Sequence, residues 1–231
     1  MNIKAEQEEE EFERQEDAFR DWITADGSSD YRAEQDRYHL YVSLACPWAH
    51  RSLIVRKLNG LDGVVGATVV DPVRNGGGWR FGTGDGFSED PINGFEFLGE
   101  AYAATDPSWD GRVTVPVLWD KKTGRIVNNS EDDICLMFNS AFAEYANSEL
   151  DLFPKDVADE QAELSQQIYE NVNNVVYRAG FAGVQAGYEH WARRVFDTLD
   201  VMEARLATQR YLMGSRITEV DWRLFCTLIR V

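Results

Sequence analysis

Apolar and polar positions change period several times along this chain, and each change marks an element. From Arg37, the residues Tyr38, Leu40 and Val42 alternate with His39, Tyr41 and Ser43, the two-residue period of a half-buried strand. Cys46-Pro47 then opens a helix, because proline suits a helix's first position. Ala49, Leu53, Ile54 and Leu58 follow at helical spacing, and Asn59-Gly60 ends the run. Val64 to Val70 predicts a second strand, stopped by Asp71-Pro72. Residues 72–111 are glycine-rich and irregular, with Gly76-Gly77-Gly78-Trp79 and Gly82 to Gly86; so long a loop is usually functional or mobile. Val113 to Trp119 predicts a third strand, Lys121 to Gly124 a turn, and Arg125 to Val127 the start of a fourth strand. Ser130, three residues before Asp133, offers an N-cap to a helix carrying Ile134, Met137, Phe138 and Phe142.

After Pro154 the pattern is purely helical. Leu164, Ile168, Val172 and Val175 share one helical face, a second helix spans about 185–208, and Thr218 with Asp221 caps a third. No internal repeat is visible. The order is βαβ, loop, ββα, then helices, which fits a thioredoxin-like α/β domain over 37–147 followed by an all-α domain over 148–231. An arm, residues 1–36, precedes them. The last helix begins an apolar stripe of Trp222, Phe225, Leu228 and Ile229 that stops at Val231, so a further C-terminal portion is expected.

Charge narrows the partners. Forty acidic residues against 23 basic ones give −17 over 231 residues, and only five of the basic side chains are lysines. Such a surface repels phosphate backbones and anionic leaflets, which argues against nucleic acid and membrane partners. The first thirty residues hold eleven acids against Lys4, Arg14 and Arg20, and the Glu8 to Glu11 block reads as a solvated arm. Phe12, Phe19 and Trp22 suggest that its later part docks. The excess fits either plain solubility or a salt-rich cytoplasm that screens self-repulsion. The N-terminus lacks the basic and apolar layout of a signal peptide, and no apolar run reaches a membrane span. Cys46, Cys135 and Cys226 form neither a disulfide framework nor a spaced zinc site, so a reducing cytoplasm is expected.

Cys46 carries the chemistry. Between a strand and a helix, a thiolate gains from the helix's positive end and its amide donors. Ala49 stands where a C-x-x-C partner would be, so a mixed disulfide formed here must pass to an external thiol. The stretch from Tyr41 through Cys46-Pro47-Trp48-Ala49-His50-Arg51 resembles the signature of glutathionyl-hydroquinone reductases, the Xi-class glutathione transferases. Similar matches run through Gly111 to Asp120, Ile126 to Asn129, Asn173 to Ala182, and Arg210 to Phe225.

The resemblance implies reductive removal of glutathione from a hydroquinone ring through a mixed disulfide on Cys46. No metal or nicotinamide enters, no cofactor is bound, and glutathione or γ-glutamylcysteine serves as co-substrate. By the same resemblance, Tyr177 lies near the leaving hydroquinone and Trp79 lies against the glutathione peptide. Val115, before a cis-proline at Pro116, pairs its backbone with the cysteinyl part. Ser130 and Glu131 meet the γ-glutamyl end, although the family order at this pair is reversed here. The family also extends beyond this length and draws dimer contacts from that part, so a homodimer is expected only with it. His50 and Arg51 read as packed or surface residues, His39 and His190 show no dyad pattern with Cys46, and Cys135 and Cys226 read as core. Two other functions stay open: an omega-like thiol–disulfide oxidoreductase, or a non-catalytic thiol-binding module.

Overall fold

The computed structural model describes residues 14–146 and 150–231. The Glu8 to Glu11 block and Phe12 lie outside them. The chain divides into a unit over Glu16–Phe153 and a helical unit over Pro154–Val231.

The first unit is built on a four-stranded sheet of β3 (Tyr38–Val42), β4 (Gly66–Val69), β5 (Val117–Asp120) and β6 (Arg125–Asn128), in the order β4-β3-β5-β6. β3 and β4 run parallel, with Val42 opposite Val69, while β5 is antiparallel to both of its neighbours, β3 and β6. Helices α1 (Pro47–Leu58) and α3 (Glu131–Ser140) pack together, and α2 (Gly99–Thr105) packs on β6. This is the expected thioredoxin-like arrangement.

Several elements differ from the sequence pattern for physical reasons. β3 is buried along its whole length rather than on one face. Its polar atoms are satisfied inside: His39 Nε2 meets Thr68 Oγ1 at 2.8 Å, and the Tyr41 hydroxyl donates to Asp90 Oδ1 at 2.9 Å. The third strand starts at Val117, not Val113, since Pro116 has no N–H for a ladder and the Val115–Pro116 bond is cis. Within the glycine-rich stretch, α2 was not visible in the pattern; it buries Ala101 and Tyr102.

Residues 16–36, read as arm, belong to this unit. Asp21 N–H donates to Val127 O and Asn129 N–H donates to Phe19 O, both at 3.0 Å, so the segment covers the edge of β6. It then forms the short parallel pair β1 (Ile23–Thr24) and β2 (Tyr31–Arg32). Phe19 packs against Tyr102 and Trp109, with ring centroids 5.6 and 5.2 Å away.

The helical unit contains α4 (Ala158–Ile168), a π-helical turn (Tyr169–Asn173), α5 (Val175–Gly180), α6 (Gln185–Leu206) and α7 (Glu219–Leu228). Its core joins Leu164, Ile168 and Val172 to Met202, Leu212, Met213, Val220 and Leu224. The capping box of Thr218 and Asp221 opens α7. No helix among the described residues is long and apolar enough to cross a membrane.

Candidate active site

Cys46 sits at the N-cap of α1 with an extended backbone, φ −90° and ψ 118°, and Pro47 takes the first helical position. The turn from β3 is closed by the Cys46 N–H donating to Ser43 O at 3.1 Å, and the His50 N–H donates to Cys46 O at 3.0 Å. The side chain makes no cap bond. Its Sγ lies 3.7 Å from Val115 O, and the residue is half-buried. A partly exposed thiol at the positive end of a twelve-residue helix is placed where a thiolate is stabilised and can be reached. Neither Cys46 nor the two buried cysteines, Cys135 in α3 and Cys226 in α7, is in a disulfide.

The structure brings Val115 to this thiol, and the segment before Pro116 is fixed from behind. The Tyr102 hydroxyl donates to Thr114 O at 3.0 Å, the Thr114 N–H donates to that hydroxyl at 3.2 Å, and Asn129 Nδ2 donates to Thr114 Oγ1 at 3.2 Å. Sequence reading missed Tyr102, because nothing in its local pattern points to a residue twelve positions on.

Ser130 is the N-cap of α3, with its N–H donating to Asn128 Oδ1 at 2.7 Å. It caps by backbone position alone, without a side-chain cap bond. Asp133, expected as its capping partner, instead takes Arg20 in a two-point contact at 2.7 and 2.6 Å and accepts Asn128 Nδ2 at 3.1 Å. Glu131 is 2% exposed and faces Arg51, also 2% exposed, with Oε1 and Nη2 3.3 Å apart. Arg51 reaches Asp132 Oδ1 at 2.5 Å as well. Arg51 therefore fastens α1, the helix that Cys46 caps, to the first turn of α3.

Trp79 is half-buried in the loop that leaves β4, with the Arg74 guanidinium 5.1 Å from its ring centroid. Tyr177 lies in α5 of the helical unit, its ring 6.3 Å from that of Phe181. His39 is a buried neutral group of the sheet, its pKa pushed down to about 4, mainly by desolvation. His190 packs against Trp191, their rings 4.6 Å apart.

A thioredoxin-like sheet with a cysteine at its first helix, followed by helices, defines a glutathione-transferase architecture. Residues 45–141 match the family described as glutathione S-transferase, N-terminal domain, and residues 185–231 match its C-terminal domain. The chain is 46% identical to a glutathionyl-hydroquinone reductase, YqjG of Escherichia coli, over 95% of this chain and 69% of that protein. Against PcpF of Sphingobium chlorophenolicum, also named a glutathionyl-hydroquinone reductase, identity is 42% over 95% and 69%. The crystal structure of the Xi glutathione transferase of Phanerochaete chrysosporium superposes with a TM-score of 0.91 at 44% identity, covering 95% of this chain and 75% of that one. The glutathione-bound structure of the Escherichia coli protein gives 0.90 at 46% identity, covering 92% and 71%. The chain belongs to the glutathione transferase family, in its Xi class of glutathionyl-hydroquinone reductases.

Proposed function

We propose that this protein reduces glutathionyl-hydroquinones by way of a mixed disulfide on Cys46. The Cys46 thiolate attacks the glutathione sulfur, forming a sulfur–sulfur bond as the sulfur–ring carbon bond breaks. The ring carbon keeps the bonding electrons and takes a proton from the Tyr177 phenol, releasing the hydroquinone. A second glutathione, as thiolate, attacks the mixed disulfide to give oxidised glutathione and restore Cys46; its proton goes back to Tyr177 through solvent. The ring carbon gains two electrons, one from each of the two glutathione sulfurs, which leave joined as oxidised glutathione.

The observation that carries this reading is the half-buried Cys46 thiol at the α1 N-terminus, 3.7 Å from the carbonyl that precedes a cis-proline. Around it, Val115 would pair its backbone with the cysteinyl part of glutathione like an added strand, and Trp79 would cover the peptide. Ser130 and Glu131 would meet the γ-glutamyl end, Glu131 acting from within its pair with Arg51. Three cysteines outside disulfides support a cytoplasmic setting, and a net charge of −17 supports a salt-rich one.

A protein named glutathione S-transferase omega-like 2 of Schizosaccharomyces pombe is 42% identical, which favours a second reading: reduction of ordinary glutathione mixed disulfides. Turnover of a glutathionylated hydroquinone and of a glutathionylated peptide, each with glutathione and with γ-glutamylcysteine, separates the two. Faster turnover of the aromatic thioether supports the proposal. Turnover of the peptide alone overturns it in favour of the second reading.

A further inference from the structure

The loop between Asp71 and Leu98 contains no helix or regular strand, yet it is closely determined. It leaves the sheet beside the nucleophile's turn. β3 and β4 are parallel with Val42 opposite Val69, and the Val70 N–H donates to Val42 O at 2.8 Å. Cys46 and the loop entrance therefore emerge from the same end of the sheet. The outgoing limb carries Trp79, and the returning limb lies against it. The Phe81 N–H donates to Glu96 O and the Leu98 N–H donates to Trp79 O, both at 2.9 Å. Phe97 fills the space at Gly77 so tightly that a Cβ there would meet its ring at 2.3 Å.

The turn joining these limbs is Asp90-Pro91-Ile92-Asn93-Gly94, and Asp90 organises it. One carboxylate oxygen accepts the Ile92 N–H at 3.0 Å, and the other accepts the N–H groups of Asn93 and Phe95 at 3.1 and 3.3 Å. Asp90 is only 5% exposed. Its first oxygen also accepts the Tyr41 hydroxyl at 2.9 Å, and Asn93 Nδ2 donates to that hydroxyl at 3.1 Å. Tyr41 stands on β3, the strand that leads into Cys46. A second link runs through Phe81, whose ring meets the Tyr41 ring edge-on at 5.2 Å. Four donors on one carboxylate make an acceptor that asparagine cannot imitate. An amide keeps one oxygen for Tyr41 and Ile92 but turns an NH2 toward the N–H groups of Asn93 and Phe95.

We propose that Asp90 is a positioning residue, which through Tyr41 holds the Trp79 limb in register with the strand that leads into Cys46. The thiol-binding loop and the nucleophile are then one preset frame, and binding does not have to order the loop. This rests on the proposed roles of Cys46 and Trp79.

The test compares the intact protein with Asp90→Asn, Tyr41→Phe, Trp79→Ala and the double variant Asp90→Asn/Trp79→Ala, in steady-state turnover of a glutathionylated hydroquinone. Asp90→Asn should raise KM for glutathione by about tenfold while kcat stays within about twofold, the split expected when binding alone is impaired. Tyr41→Phe, which leaves the turn intact, should do the same to a smaller degree. The iodoacetamide alkylation rate of Cys46 should not change in either. In the Trp79→Ala background, Asp90→Asn should add nothing to KM, because its effect runs through that ring. An unchanged KM in folded Asp90→Asn and Tyr41→Phe, or additive effects in the double variant, overturns the proposal. So does a slower alkylation of Cys46. Failure of the underlying reading looks different: Cys46→Ser would still turn over, or Trp79→Ala alone would leave KM untouched.

Discussion

His39 gives a prediction whose size follows from its surroundings. The imidazole is 4% exposed, its Nε2 lies 2.8 Å from Thr68 Oγ1, and a Cβ on Gly66 would fall 2.4 Å from its Nδ1. There is no room for water to solvate a charged ring. Desolvation is the main cause that holds its pKa near 4, below the ordinary 6.5; Lys121 and Arg56 add to the shift, while Asp90 and Asp36 oppose it. The sign follows from proton counting. Between those two values the unfolded chain binds a proton that the folded chain refuses, so stability falls as the pH drops through this window. With those pKa values, the loss attributable to His39 is about 2 kcal/mol between pH 7 and pH 5, and about 3 kcal/mol by pH 4. His39→Gln keeps a polar partner for Thr68 but cannot titrate. Urea unfolding of both proteins at pH 7, 6, 5 and 4 measures the difference. Whatever constant offset the substitution introduces, the gap should shift by about 2 kcal/mol in favour of the variant from pH 7 to pH 5. Parallel curves would refute the claim that His39 is buried and neutral in the folded protein.

Other consequences can be checked in the same material. Arg37 reaches Asp120 with two contacts at 2.9 and 2.8 Å, and the Asp120 side chain is 0% exposed, so Arg37→Met should cost about 3–5 kcal/mol in urea unfolding. Tyr177→Phe should lower kcat for hydroquinone release by about tenfold, about 1.4 kcal/mol, with KM for the thiol little changed in steady-state assays. With a net charge of −17, the protein should melt higher in molar KCl than in dilute buffer, read by differential scanning fluorimetry from low to 3 M salt.

How much of this was legible depended on whether the cause was local. The Cys46 turn could be read directly, since a strand period, a cysteine, a proline at the first helical position and an Asn-Gly stop lie within one short stretch. The glycine-rich loop could be recognised as unusual but not as ordered, because its order comes from Phe97 filling the space at Gly77 and from Asp90 reaching Tyr41 on a distant strand. The Asp-Pro-Ile-Asn-Gly turn was a signal that could have located Asp90. The family resemblance implies that Glu131 meets the γ-glutamyl end of glutathione, but its pairing with Arg51 of α1 had no signal in the sequence, because it depends on how two helices pack. The segment 16–36 reads as an arm whose later part docks through Phe19 and Trp22, but its place at the edge of β6 is decided by backbone hydrogen bonds to the distant Val127 and Asn129 and by the burial of Ile23.

The most direct test of the central claim is intact-protein and peptide mass spectrometry after one equivalent of a glutathionyl-hydroquinone is added without free glutathione. The account predicts one glutathionyl group on Cys46, none on Cys135 or Cys226, and an equal amount of free hydroquinone. Added glutathione should then strip the group off as oxidised glutathione. The same experiment on Cys135→Ser should give the same result, and on Cys46→Ser neither adduct nor hydroquinone. Hydroquinone released without an adduct on Cys46, or released by Cys46→Ser, would contradict the account.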